Sequence, residues 1–383
     1  MRIHSNCNAM AIEIKKVVTK RDGKNFIRFP YQLYKGCENW VPALEGDEFD
    51  TFNPKKNGAY DYCEADRFLA YKDGKIAGRV AAIINHNANR DWKLKIVRFG
   101  WLDFIEDVEV LKVLMDAVAA WGKERGCTLM KGPWGFTDMD KEGLLVEGFE
   151  WLSPFTCLYN YPYYDTLLKQ LGFTKDVDWT QKILYIEEEE PPMFQFSEMI
   201  EQRFGLHVAR PKSVKELGDK YGLAIFHMYN ETFAPLFQFT PLNDRQIENY
   251  LQTYVPILDP KYVAVCLNEK DEPIGFAFCV PTLSTAVKKS NGRLFPFGFL
   301  RIFHALKHND TLEALLIGIM PEYQGMGAHI PMFKYIHENA RKSGITKMIM
   351  NPQLEDNFKI QSLFDDQYRQ DTIIRRRAYS KPL

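Results

Sequence analysis

The chain has 383 residues, 46% hydrophobic and 26% charged, with 49 Lys and Arg against 50 Asp and Glu. A net charge of −1 gives no electrostatic basis for a nucleic-acid partner, and no apolar run reaches the ~20 residues needed to span a bilayer. The seven cysteines are scattered without a Cys-x-x-Cys pair. That pattern indicates neither a zinc site nor a disulfide frame, and reduced thiols in a cytoplasmic protein are the default.

Residues 1–10 are polar, lack the apolar core of a signal peptide and read as a disordered N-terminus. Phe68–Ile83 reads as two β-rich runs around an Asp73-Gly74 turn. A strand over Ile96–Phe104 then leads through Ile105-Glu106-Asp107, which contains no glycine, into a helix over Val108–Lys123 that stops at Gly126. The run Gly132–Pro154 mixes aromatic residues, glycines and acids and reads as a pocket-lining or lid loop. Its acids Asp138, Asp140, Glu142 and Glu147 are positions from which an amine would be held by charge. Glu187–Glu190, closed by Pro191-Pro192, reads as a solvated linker.

Beyond the linker the chain repeats itself. Tyr262–Phe278 has the hairpin design of residues 68–83, and Asn339–Met348 repeats the helix end, glycine and strand start of Trp121–Met130. Ile274 and Gly344 lie 20 residues farther apart than Ile76 and Gly126, which places an insertion within Pro281–Asp310. Two tandem copies of one α/β unit are the simplest account. The expected organisation is 1–10 disordered, 11–186 a first unit without a phosphate loop, 187–195 a linker, and 196–383 a second unit. Inside the insertion, Leu294–Leu306 is strongly apolar and aromatic. It reads as a buried helix over the site, the other reading being a helix that touches membrane or lipid.

The most informative stretch follows. A strand carrying Leu315, Ile317 and Ile319 runs into Pro321 and then Gln324-Gly325-Met326-Gly327-Ala328, after which a helix is predicted over His329–Lys342. Glycines at that place let backbone N–H groups turn inward around a phosphate, and a helix N-terminus adds positive dipole. The Lys-Ser/Thr of a P-loop and the spacing of a dinucleotide fingerprint are both missing. The order strand, Pro, x, x, Gln, Gly, x, Gly, small residue, helix resembles the acyl-CoA loop of the GNAT acyltransferase superfamily. The match lies at Pro321, Gln324, Gly325 and Gly327, with His329 where the family usually has Gly or Ala. The chain as a whole resembles bacterial tandem-GNAT proteins in which the second half keeps the CoA motif.

This resemblance implies an α/β (α+β) fold of two tandem GNAT-like units, each a mixed, mostly antiparallel sheet flanked by helices. It implies that the backbone of Gln324, Gly325, Met326, Gly327, Ala328 and His329 holds the CoA pyrophosphate. The backbone of Ile319 or Met320 would polarise the thioester carbonyl, and Asn357 would contact the pantetheine arm. Phe364 stands where the family often has a Tyr that protonates the leaving thiolate, so that acid is missing or replaced.

The implied activity is acyl-CoA-dependent N-acyl transfer, acetyl by default, from acetyl-CoA or another acyl-CoA to an amine of a small molecule or peptide, in a monomer or homodimer. A transferase using an aminoacyl or long-chain acyl donor, or a CoA-binding protein without turnover, stays open. Such chemistry needs a base for the ammonium and a donor for the thiolate. Glu313 resembles the position of a family base, with His304 and Glu322 as further candidates, and Tyr379 or Tyr323 would replace the acid. No metal-ligand spacing is visible. Arg375–Arg377 reads as solvated arginines on a closing strand.

Overall fold

The computed structural model describes residues 12–236 and 238–383. The disorder expected for residues 1–10 lies outside them. In the first unit the strands are β1 (Ile12–Lys16), β2 (Cys63–Lys72), β3 (Lys75–Asn85), β4 (Ile96–Phe104), β5 (Leu129–Gly132), β6 (Leu144–Glu147) and β7 (Thr174–Tyr185). In the second they are β8 (His207–Val208), β9 (Val263–Leu267), β10 (Pro273–Pro281), β11 (Thr311–Ile319), β12 (Lys347–Ile349), β13 (Gln353–Leu354) and β14 (Gln370–Pro382).

The two units fold alike because their local signals agree. β2 and β3 form an antiparallel hairpin, as do β9 and β10. β4 then pairs parallel with β5, and β11 with β12, each across a crossover helix. Those helices, Val108–Glu124 and His329–Lys342, both end before a left-handed glycine, Gly126 (φ 77°) and Gly344 (φ 77°), a conformation that favours glycine. The expected insertion forms two helices, Ser284–Lys289 and Gly298–Lys307, between β10 and β11.

The closing strands depart from the expected division of the chain. All the described strands belong to one sheet, whose main path runs β1-β2-β3-β4-β5-β14-β7-β12-β11-β10-β9-β8. Each unit lends its last long strand to the other. β14 pairs with β5 through Tyr379↔Gly132, and β7 pairs with β12 through Met348↔Leu184. β7 and β14 pair with each other at the centre, from Gln370↔Leu184 to Ser380↔Thr174. Residues 370–382 are therefore part of the first unit's sheet.

The central strands also correct the reading of the arginine run. Arg376 is buried and donates from Nε to Gln181 Oε1 at 2.8 Å. Arg377 grips buried Asp178 with two nitrogens, at 2.7 and 2.8 Å. Arg375 and Arg377 are half-buried, and Arg375 pairs with Glu147 at 3.3 Å, so each arginine of the run is matched by an acceptor.

Candidate active site

The glycine turn adopts the conformation its sequence predicts. Gly325 and Gly327 have φ of 82° and 81°, and the His329–Lys342 helix starts after Ala328 with no side-chain cap. The first N–H groups of a helix have no acceptor within it. The Gln324 and Met326 amides, expected to join the pyrophosphate cradle, donate instead to the Pro321 and Tyr323 carbonyls at 3.2 and 3.4 Å, which leaves the amides of Gly325, Gly327, Ala328 and His329 as its donors among the described residues. Gln324 ties the turn to β11 by donating from Nε2 to the Ile319 carbonyl at 3.0 Å. Burial holds the His329 imidazole below its ordinary pKa, so the cradle's pull on an anion comes from backbone and dipole.

The first unit fills the same place with its own carboxylate. Asp107 caps the Val108–Glu124 helix, accepting from the Glu109 amide at 2.9 Å and the Val110 amide at 3.4 Å, and Lys72 pairs with it. That helix end is already occupied by an anion.

Beside the cradle the sheet opens. β11 and β12 pair only from Thr311↔Lys347 to Glu313↔Ile349, and β11 carries a bulge between Ala314 and Leu316. The Met320 amide donates to the Ile274 carbonyl at 2.9 Å, which removes Met320 from the candidates for polarising a thioester. Successive amides of an antiparallel strand alternate sides, so the N–H groups of Ile319 and Ile317 face the edge that β12 has left.

The splay leads into a cavity of about 1440 Å³, walled by both units. At the cradle end it is bordered by Ile319, Gln324, Gly325, His329 and Asn357. Much of its lining is apolar, with Phe226, Phe233, Leu283, Leu316 and Met350 among its walls. The first unit contributes Arg98, Trp134, Asp138, Asp140, Lys141 and Glu142. The loop after β5 thus lies on the cavity, as its composition predicts, except for Glu147, which pairs with Arg375 outside it.

The first unit's part of the lining is rich in charge. Arg98 is buried and donates to the Gly135 and Phe136 carbonyls at 3.1 and 3.3 Å. Burial pushes the Asp138 carboxyl up to about 7 and the Asp140 carboxyl up to about 6, and it holds Glu142 well above the carboxylate range. Two backbone amides, Phe136 at 2.7 Å and Thr137 at 3.1 Å, donate to Asp140. Three acids against Arg98 and Lys141 make this part suited to a cation.

The expected catalytic groups separate. Glu313 is buried at the root of the splay, where it accepts from Thr282 Oγ1 at 2.5 Å and Thr156 Oγ1 at 3.0 Å. Burial raises its pKa, and the threonine hydroxyls work in the other direction. Thr156 lines the cavity, so Glu313 stands one hydroxyl away from it. Tyr379 is elsewhere: the strand exchange carries it into the first unit's core, where its hydroxyl bonds Asp165 Oδ1 at 2.5 Å. His304 lies exposed on the Gly298–Lys307 helix against His308, and Tyr323 accepts from Asn268 at 3.2 Å. Neither ring borders the cavity.

Sequence reasoning missed Tyr368. Its ring packs near Phe364 at 6.2 Å, lines the cavity and places its hydroxyl 3.3 Å from His337 Nδ1. No motif marked it, because the short turn Ser362–Phe364 that brings it back is decided by packing. Asn357 caps the helix Phe358–Gln361 and borders the cavity.

Comparison with solved structures agrees with this architecture. A tandem GNAT protein from the clavulanic acid biosynthesis pathway superposes with a TM-score of 0.57, covering 97% of this chain and 98% of that one at 9% identity. The chain has the tandem GNAT fold. A GCN5-related N-acetyltransferase from Sphaerobacter thermophilus gives a TM-score of 0.50 over 97% of this chain and 95% of that one, at 10% identity.

At the level of sequence, no protein-family profile matches. Protein YghO of Escherichia coli K12 is 25% identical over 318 residues, covering 81% of this chain and 79% of that protein. A bacterial ceramide synthase from Caulobacter vibrioides is 24% identical over 366 residues, covering 92% of each. On this GNAT fold the glycine turn and the splayed strands belong to the second unit, the cavity is walled by both, and its acidic residues come from the first.

Proposed function

We propose that the protein is an acyl-CoA-dependent N-acyltransferase that joins a long acyl chain to the amine of a lipid-like acceptor. The carrying observation is the cavity that runs from the cradle into the other unit. At about 1440 Å³ it exceeds the ~300–1,000 Å³ of ordinary small-molecule sites, and much of it is walled by aliphatic and aromatic side chains. An acetyl group needs little of that space, so the long-chain donor is favoured over the acetyl default. The likeness to a bacterial ceramide synthase supports the same choice, since a ceramide is a fatty amide of a long-chain amino alcohol.

In this reading the amides of Gly325, Gly327, Ala328 and His329 hold the pyrophosphate, and the Ile317 and Ile319 amides meet the thioester oxygen. Asp138, Asp140 and Glu142 receive the acceptor's ammonium and polar head. Glu313, through Thr156, takes the proton that makes the amine nucleophilic. The amine attacks the thioester carbon, the C–S bond breaks, and Tyr368 returns a proton to the thiolate.

The test is transfer from a series of acyl-CoAs, acetyl to stearoyl, onto a long-chain amino alcohol. We expect kcat/KM for palmitoyl-CoA to exceed that for acetyl-CoA by about tenfold or more, the scale of apolar discrimination in a pocket. Equal or inverted values would return the reading to acetyl transfer. Saturable CoA binding with no turnover of any donor would leave a binding protein.

A further inference from the structure

One segment is left over by the cavity chemistry. Between Glu272 and Asp310 the chain has no Asp or Glu and five cations, Lys288, Lys289, Arg293, Arg301 and Lys307, in a protein of net charge −1. The same segment holds the apolar run expected to be buried. The structure instead leaves Phe295 79% exposed, Phe297 66%, Leu300 54% and Phe303 58%. Water-facing phenylalanines grouped in this way mark a contact surface.

Of the five cations, Arg293 alone pairs with a carboxylate among the described residues, Glu45 at 3.0 Å. Lys288 donates to the carbonyls of Cys37 and Glu38, and Arg301 to the carbonyl of Lys289. Lys288, Lys289, Arg301 and Lys307 form no ion pair among the described residues. The opposite face of the Gly298–Lys307 helix packs Ile302 and Leu306 on Val41, Leu283 and Val287, and the same two residues line the cavity. One short helix thus presents aromatic side chains and positive charge outward and forms a cavity wall inward.

We propose that residues 288–307 dock the protein on an anionic membrane surface, so that a lipid acceptor passes from the bilayer into the cavity alongside this helix. The charge selects the occupant. A bare apolar patch would suit a second copy of the chain, whereas phenylalanines ringed by unpaired cations match the boundary between acyl chains and anionic headgroups. The helix has 10 residues and lies on the protein, which suits an in-plane contact. Among the described residues no helix is long and apolar enough to cross a membrane. The docking stands on the patch itself, and the route for the acceptor rests on the long-chain reading above.

The full chain is mixed with phosphatidylcholine vesicles, with or without phosphatidylglycerol at about one part in four, and sedimented. We expect pelleting with the anionic vesicles, weakened by salt as the cations are screened. The triple variant F295S/F297S/L300S, none of whose positions borders the cavity, should lower the partition coefficient by about tenfold or more. The charge variant K289E/R301E/K307E should abolish the preference for phosphatidylglycerol. Circular dichroism and protection from heat by palmitoyl-CoA are read on the same samples. Docking lost with that protection intact identifies the surface and leaves the acyltransferase reading standing. Wild-type protein that stays in the supernatant at low salt overturns the proposal, as does a triple variant that pellets normally. A wild-type dimer that the triple variant dissolves, with vesicles ignored throughout, reassigns the patch to self-association.

Discussion

Arg98 and Glu313 occupy the same position in the two units. Each is the third residue of its strand in the parallel ladder, Arg98 opposite Lys131 and Glu313 opposite Ile349, and both are buried. The unit with the glycine cradle has a carboxylate there, and the unit without it has a guanidinium facing the acidic part of the cavity. In the proposed mechanism one scaffold position thus serves as a base in one copy and as a charge partner in the other. Glu313→Gln keeps the shape and can still accept from Thr282. It should lower kcat by about 100-fold or more while leaving palmitoyl-CoA affinity unchanged. Steady-state kinetics with calorimetric titration decide it, and undiminished kcat would remove Glu313 from the mechanism.

The cradle is tested by charge at a position that has room. A Cβ at Gly325 meets nothing within 4 Å, whereas one at Gly327 would lie 2.9 Å from Ile200 Cδ1. Gly325→Asp should weaken CoA binding by about tenfold or more, because a carboxylate beside a pyrophosphate repels it. Gly325→Asn, similar in size and tolerant of positive φ, should bind nearly as the wild type does. Equal losses in both variants would point to backbone strain in place of charge.

Tyr379 serves as an internal control for the catalytic assignments. Tyr379→Phe removes a buried hydroxyl bonded to Asp165, which Lys169 also contacts at 2.8 Å. Stability should fall by about 1 kcal/mol with kcat unaltered. Tyr368→Phe should do the reverse, lowering kcat about tenfold with little change in melting temperature, and Phe364→Tyr in that background should restore part of the rate.

The cavity's acids give a pH signature with a definite sign. Asp138 and Asp140 have pKa values raised by burial to about 7 and about 6. A carboxyl with a pKa higher folded than unfolded adds stability that is complete below the unfolded value of about 4 and is lost as pH rises through the folded value. Asp138→Asn should therefore raise the melting temperature at pH 8 and not at pH 4. Acceptor KM should rise as pH falls through 7 toward 6, because a protonated carboxyl no longer attracts an ammonium. A pH-independent KM would place the amine elsewhere.

The strand exchange predicts how the chain can be cut. Residues 196–383 expressed alone lack β7 beside β12 and leave β14 without either neighbour, so they should not yield a folded CoA-binding unit. Co-expression with residues 12–186 should restore binding, read by circular dichroism and protection by CoA. A well-folded isolated second unit would contradict the shared sheet.

The sequence by itself determined everything that depends on neighbouring residues: the paired hairpins, the helices over 108–124 and 329–342 with their stopping glycines, the insertion after Pro281, and the Gln324–Gly327 turn. Backbone conformation is local, and glycine, proline and capping residues write it directly. Only the tertiary structure decided which unit holds β14, and with it that Tyr379 is structural and Tyr368 borders the site. It also decided that Leu294–Leu306 turns one face outward while the other walls the cavity, and that Glu313 meets Thr156 from the other half. These outcomes depend on pairings between residues 100 or more apart. Strand edges are interchangeable in local chemistry, and the choice among them is made by which arrangement buries the most apolar surface and leaves no buried polar group unmatched.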